Sequence, residues 1–214
     1  MRQRLATVSL IAWRTIIVLL TMEIAAVTAM RYFAGSQTPP ELILSNAFAH
    51  PFLILHIVGG LTALVVGPLQ FVKRIRERVP AFHRATGRIY AAACAIGAPA
   101  GFMLAIGTVA GPIAAVGFAI PAVLWPVFTF AGVRAAIDRR LDDHREWMLR
   151  SYAICANAIT LRLMLPAPGV LGFEVRPAYR LIAWLGWIVN LALVELYLRR
   201  GRHSAPAEAR LATA

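Results

Sequence analysis

The stretch Phe52-Leu-Ile-Leu-His-Ile-Val-Gly-Gly-Leu-Thr-Ala-Leu-Val-Val-Gly-Pro-Leu-Gln-Phe-Val72 holds one histidine and no Asp, Glu, Lys or Arg. A helix rises about 1.5 Å per residue, so about 20 such residues cross the hydrocarbon of a bilayer. The stretch reads as a transmembrane helix, and that reading sets the solvent for the rest of the chain. Working outward, five more segments qualify, at about 8–30, 89–109, 113–135, 147–165 and 181–198. Ala110, Gly111 and Pro112 leave only a tight turn between the third and fourth, which must form an antiparallel hairpin. The predicted fold is all-α, a single bundle of six transmembrane helices over residues 1–203, with helices two to five as its core. Residues 204–214, small and polar, are expected to be a disordered cytoplasmic tail.

Composition agrees. Of 214 residues, 59% are hydrophobic and 15% charged, and the mean hydropathy is +0.67. Soluble chains are about 45–50% apolar and about 25% charged. A soluble domain and a disordered chain are both excluded. The formal net charge is +12, yet nucleic acid is not the expected partner, because the charges are arranged by topology. Eighteen basic residues fall on one face of the six-span arrangement, in the N-terminus, the second-to-third loop, the fourth-to-fifth loop and the tail. The other face holds Arg31, Arg176 and Arg180. The positive-inside rule then places both termini of this multi-pass protein in the cytoplasm. Anionic lipid headgroups are the expected partners of the arginines; a protein partner or a homo-oligomer stays open. Cys94 and Cys155 lie in apolar runs and read as small buried residues.

The first segment starts with basic residues and contains Val27-Thr28-Ala29, which would suit a signal peptidase. Arg14 and Glu23 interrupt it, and it is too long for a usual signal core, so a retained helix is favoured. In the following connector, Pro39-Pro40-Glu41 before Leu42-Ile43-Leu44 is a helix-start signal.

Candidate chemistry centres on histidine. His56, Gly60, Ala63 and Gly67 recur at helical spacing and share a face. An imidazole above a small-residue stripe can seat a flat macrocycle; a packing groove with a hydrogen-bonded core histidine is the favoured structural alternative. Two segments resemble each other, His83-Arg-Ala-Thr-Gly-Arg88-Ile-Tyr90 and His144-Arg-Glu-Trp-Met-Leu-Arg150-Ser-Tyr152. Two histidines on neighbouring helices can supply both axial ligands of a haem b, or part of a metal site. Arg84, Arg88, Arg145 and Arg150 would then pair with propionates or phosphates, which suit the guanidinium fork. Interfacial anchoring is the favoured alternative for these residues too. Asp142 and Asp143 suit a helix start before His144.

His144, Met148, Ser151, Cys155 and Arg162 form one stripe, and His83, Gly87, Tyr90 and Cys94 another. Glu23 and Arg162 are costly inside a bilayer, about 2.5–3.5 kcal/mol each at a helix centre. They are expected to pair, with His56 nearby, as a proton or substrate site or as a structural ion pair. Asn157 and Asn190 can hydrogen-bond between helices, Gly97-x-x-x-Gly101 is a packing motif, and Pro99, Pro121 and Pro126 are candidate kinks. No phosphate-binding glycine loop, His-Glu-x-x-His or Gly-x-Ser-x-Gly occurs.

The motifs His56-x-x-x-Gly60-x-x-Ala63-Leu-x-x-Gly67-Pro-x-Gln-Phe, His83-Arg-x-x-Gly87-Arg-x-Tyr and His144-x-x-Trp147-Met-x-Arg-Ser-Tyr152 together resemble a bacterial family of predicted membrane proteins, domain of unknown function 2306. The likeness runs over about 51–165 and implies a membrane protein without naming an activity. A fainter likeness is to b-type membrane cytochromes, which hold haem between histidines on neighbouring helices. The fourth segment has no histidine to pair with His56, so that resemblance implies one bis-histidine site, His83 with His144. Three functions follow as expectations. The first is a redox-linked protein with haem or a metal. The second is a proton-coupled carrier using Glu23, His56 and Arg162. The third is an assembly or interaction protein without chemistry of its own.

Overall fold

The computed structural model describes residues 2–34 and 41–203, with side chains from residue 16 onward except 17, 41, 42, 202 and 203. The connector 35–40 and the predicted disordered tail 204–214 lie outside the described residues. Everything described is helix, turn or short connector. The helices are α1 Arg2–Tyr32, α2 Glu41–Leu44, α3 Ala49–Gln70, α4 Lys73–Arg78, α5 Pro80–Ile106, α6 Pro112–Ile137, α7 Leu141–Cys155, α8 Asn157–Met164, α9 Ala167–Leu171 and α10 Val175–His203. Five stretches among the described residues are long and apolar enough to cross a membrane: α3, α5, α6, the run Leu141–Leu171, and Val175–Gly201 of α10. They match five of the six predicted spans. The sixth expected span is α1, whose side chains before residue 16 lie outside the described residues.

Several boundaries move. α5 begins at Pro80, well before the expected position near 89. The proline sits in the first helical turn, where its missing N–H costs nothing and its fixed φ is already helical. A hydropathy window passes over these polar first turns, which carry His83, Arg84 and Arg88. α5 and α6 run unbroken through Pro99, Pro121 and Pro126. The break comes instead at Ala156, between α7 and α8, where no proline stands. The expected short helix after the connector is α2.

The chain divides into two compact units, Met1–Val123 and Leu124–Ala214, with the division inside α6. In the first unit α3 packs along α5, α1 lies on α3, and α4 rests on α5. The α3–α5 contact is close because glycine meets glycine. A Cβ at Gly59 would come within 2.6 Å of the Ala93 carbonyl oxygen and 2.7 Å of Gly97 Cα. Small residues let two backbones approach in this way, and van der Waals contact then replaces the hydrophobic effect that lipid does not supply. Ala63, Leu64, Tyr90, Cys94 and Ala98 are buried along the same seam. In the second unit α7 and α8 both pack on α10.

Candidate functional site

In the first unit, His56 projects from α3 onto α5. Its Nδ1 lies 2.8 Å from the Gly97 carbonyl oxygen. A carbonyl only accepts, so Nδ1 carries the hydrogen and the neutral ring holds its lone pair on Nε2. Gly101 leaves room for the ring, since a Cβ there would approach Nδ1 to 2.7 Å. The predicted Gly97-x-x-x-Gly101 motif is thus the floor on which His56 lies. The predicted face of α3 needs one correction: Gly59 meets α5, while a Cβ at Gly60 would meet nothing within 4 Å among the described residues. Residues three and four beyond His56 are both compatible with its face, and the helix crossing selects the first. Lower on the same pair, Gln70 Nε2 donates to Thr86 Oγ1 at 2.7 Å, and Gly87 gives the Gln70 side chain its space. His83 is half-buried near the start of α5, and Arg84 and Arg88 are exposed.

The second unit repeats the histidine arrangement. His144, in the first turn of α7, places Nδ1 2.8 Å from the Gly132 carbonyl oxygen on α6. Nδ1 again carries the hydrogen, and among the described residues Nε2 takes no protein partner. Metal-bound histidines are held in this way, with the second nitrogen tied to a carbonyl or carboxylate that fixes ring and tautomer. Met148 packs its sulfur over Gly132. One turn further in, Ser151 Oγ and Thr129 Oγ1 share a hydrogen bond of 2.7 Å, and Thr129 also reaches the Trp125 carbonyl at 2.8 Å. Cys155 continues the buried stripe.

Arg150 turns to the other side of α7. Its Nε and Nη2 reach the two Glu195 carboxylate oxygens of α10 at 2.6 and 3.2 Å. Glu146 lies 3.4 Å from Nη1, and the guanidinium stands 4.9 Å from the Trp147 ring centroid. Trp147 in turn packs on Phe128 at 5.7 Å. Arg150, expected to meet propionates or phosphates, is therefore engaged by protein carboxylates. Arg145 donates to Tyr197 Oη at 2.9 Å and is exposed. Glu195 and Glu146 were not among the sequence candidates. The signal was available: Glu195 is an acid inside an otherwise apolar span, which demands a partner as much as Glu23 does.

Glu23 is exposed on α1 in the first unit. Arg162 belongs to the second unit, on α8, where Nη1 donates to the Ala158 carbonyl at 3.0 Å. His83 and His144 likewise belong to different units. Between α6 and α7, hydrogen bonds to Asp143 first and Asp138 next push the Arg140 guanidinium above its ordinary pKa. Among the described residues no group of three or more His, Cys, Asp or Glu is placed to hold a metal ion. A bare ion needs three or four protein donors, whereas a porphyrin brings four nitrogens and asks for one or two imidazoles.

Residues 53–198 match the family model described as predicted membrane protein, DUF2306. The chain belongs to the DUF2306 family. This makes it a membrane protein, in agreement with its five apolar spans. The DUF2306 match covers the residues of all three motifs, and the structure shows much of what they do. They join α3 to α5 through His56 and Gln70, and α7 to α6 and α10 through His144, Met148, Ser151 and Arg150. No curated protein and no solved structure matches the chain.

Proposed function

We propose that this DUF2306 protein is a redox-linked, multi-pass protein of a bacterial cytoplasmic membrane that holds a haem b through histidine. Six spans with both termini inside are part of the proposal. The observation that carries it is the anchoring of His144: Nδ1 is tied at 2.8 Å to the Gly132 carbonyl, and among the described residues Nε2 takes no protein partner. An imidazole so oriented is prepared to ligate iron, because its tautomer is fixed before the metal arrives. In the first unit, His56 is a further imidazole with the same kind of anchor. Haem is preferred to a bare metal ion because no three-donor cluster occurs among the described residues.

The test is an absorption spectrum with iron analysis of detergent-purified protein expressed with haem supplied. The expected result is a Soret band with reduced-minus-oxidised features, lost in His144→Ala. Protein with no Soret band and no iron overturns the proposal.

One observation favours a second reading, a proton-coupled carrier. Glu23 is exposed on an apolar helix, and a carboxylate there needs a counter-charge or a proton. Glu23→Gln and Arg162→Gln are expected to abolish transport with folding intact. Joint replacement of both by apolar residues without loss of transport would sink the carrier.

A further inference from the structure

The two arginine-rich connectors are not equivalent. In and around the α6–α7 connector the charges are largely neutralised from within. Arg134 pairs with Asp138 at 3.3 Å, Arg140 with Asp138 and Asp143, and Arg150 with Glu195. The connector between α3 and α5 is different. Lys73 reaches Glu77 at 3.7 Å. Arg74, Arg76, Arg78, Arg84 and Arg88 are exposed, and none has a protein partner among the described residues. Positive-inside counting treats the two loops alike; their pairing separates them.

Apolar side chains are interleaved with these cations. Val72, Val79 and Phe82 are 39%, 51% and 45% exposed, at the two ends of α4 and on the first turn of α5. No residue of α4 is buried. The helix has six residues, a length of about 9 Å, and is strung between the ends of two membrane-crossing helices, α3 and α5. That tether keeps it at the boundary between hydrocarbon and water. A surface that offers guanidinium forks beside exposed apolar groups, at that depth, matches a phosphate ester carried on acyl chains.

We propose that α4 and its flanks form a docking site for anionic phospholipid headgroups. The inference does not depend on haem. Arg84 and Arg88 are also the residues expected to meet haem propionates, so the test is confined to the three arginines on α4.

The full chain in detergent is titrated with short-chain phosphatidylglycerol, short-chain phosphatidylcholine or inorganic phosphate, and bound molecules are counted by native mass spectrometry. Phosphatidylglycerol is expected to bind, and to be lost on raising salt. Each arginine near a membrane surface contributes roughly fivefold in affinity, so the variant R74Q/R76Q/R78Q should bind about a hundredfold more weakly. The variant R134Q/R140Q should bind like the wild type. Equal binding of the two lipids by the wild type overturns the proposal whether or not any variant folds. Equal loss in both variants also overturns it, as does inorganic phosphate competing fully with the lipid. Retention of an acidic protein that phosphatidylglycerol cannot displace would assign the surface to a protein partner, and overturn it too.

Discussion

Arg139 shows how much a single residue can record. Its φ is 60°, in the left-handed region, and it is the one non-glycine residue with positive φ among those described. The bonds around it form a Schellman stop: Arg140 N donates to Ala135 O at 2.9 Å and Arg139 N to Ala136 O at 3.1 Å. Glycine is the usual occupant, because a Cβ there costs about 1 kcal/mol or more. Arg139→Gly is therefore expected to raise stability by about 1 kcal/mol, read as a higher melting temperature in detergent. An unchanged or lower melting temperature would show that the guanidinium makes up for the strain. His144 is a second residue-scale case. The motif was legible in sequence, and so was a histidine near the start of the fifth span. The Gly132 carbonyl that fixes its tautomer was not, because it lies on α6 and only tertiary packing brings it within reach.

Among the elements, the pairing of α3 with α5 separates what a sequence pattern can and cannot decide. Small residues and a histidine on α3 read as a packing face, and Gly97 with Gly101 as a packing motif, but that the two meet each other is shown only by the structure. Choosing between Gly59 and Gly60 required the crossing itself. Gly59→Ala places a Cβ against backbone on α5, so the helices must part, at about 1–3 kcal/mol. Gly60→Ala meets nothing among the described residues and gains helix propensity, so it should be neutral or stabilising by up to about 1 kcal/mol. Thermal unfolding of the two variants should order them in that way; equal effects would mean the helices do not cross at Gly59. The break at Ala156 offers a second test. Asn190 on α10 donates to Ala153 O on α7 at 3.2 Å and accepts from Thr160 Oγ1 on α8 at 2.8 Å, so one side chain fastens both halves. Asn190→Leu should cost about 1–2 kcal/mol, since interhelical hydrogen bonds in bilayers are individually modest. Arg150 and Glu195 form the stronger tie. Arg150→Met leaves a partly buried carboxylate without its guanidinium and should destabilise by about 2–3 kcal/mol, more than Arg150→Met with Glu195→Leu together.

For the whole molecule, the spans were legible because apolar length is a local, additive property that needs no partner. The ion pairs were not, because which acid meets which base depends on the helix neighbours. Glu195 with Arg150 is a tie within the second unit, between two helices that the sequence alone does not pair. The number of spans and the direction of insertion are linked, and one experiment reads both. Five spans would put the termini on opposite sides of the membrane; α1 as a sixth would bring them to the same side. Eighteen basic residues against three, counted over the loops and termini of a six-span arrangement, predict by the positive-inside rule that this shared side is the cytoplasm. Reporters fused in turn to the N- and C-terminus, one fluorescent only in the cytoplasm and one active only outside it, should both report the cytoplasm. Opposite locations for the two ends would remove α1 from the membrane-crossing set. A shared external location would mean that the basic connectors face outward, and that the exposed arginines of α4 do not meet the cytoplasmic leaflet.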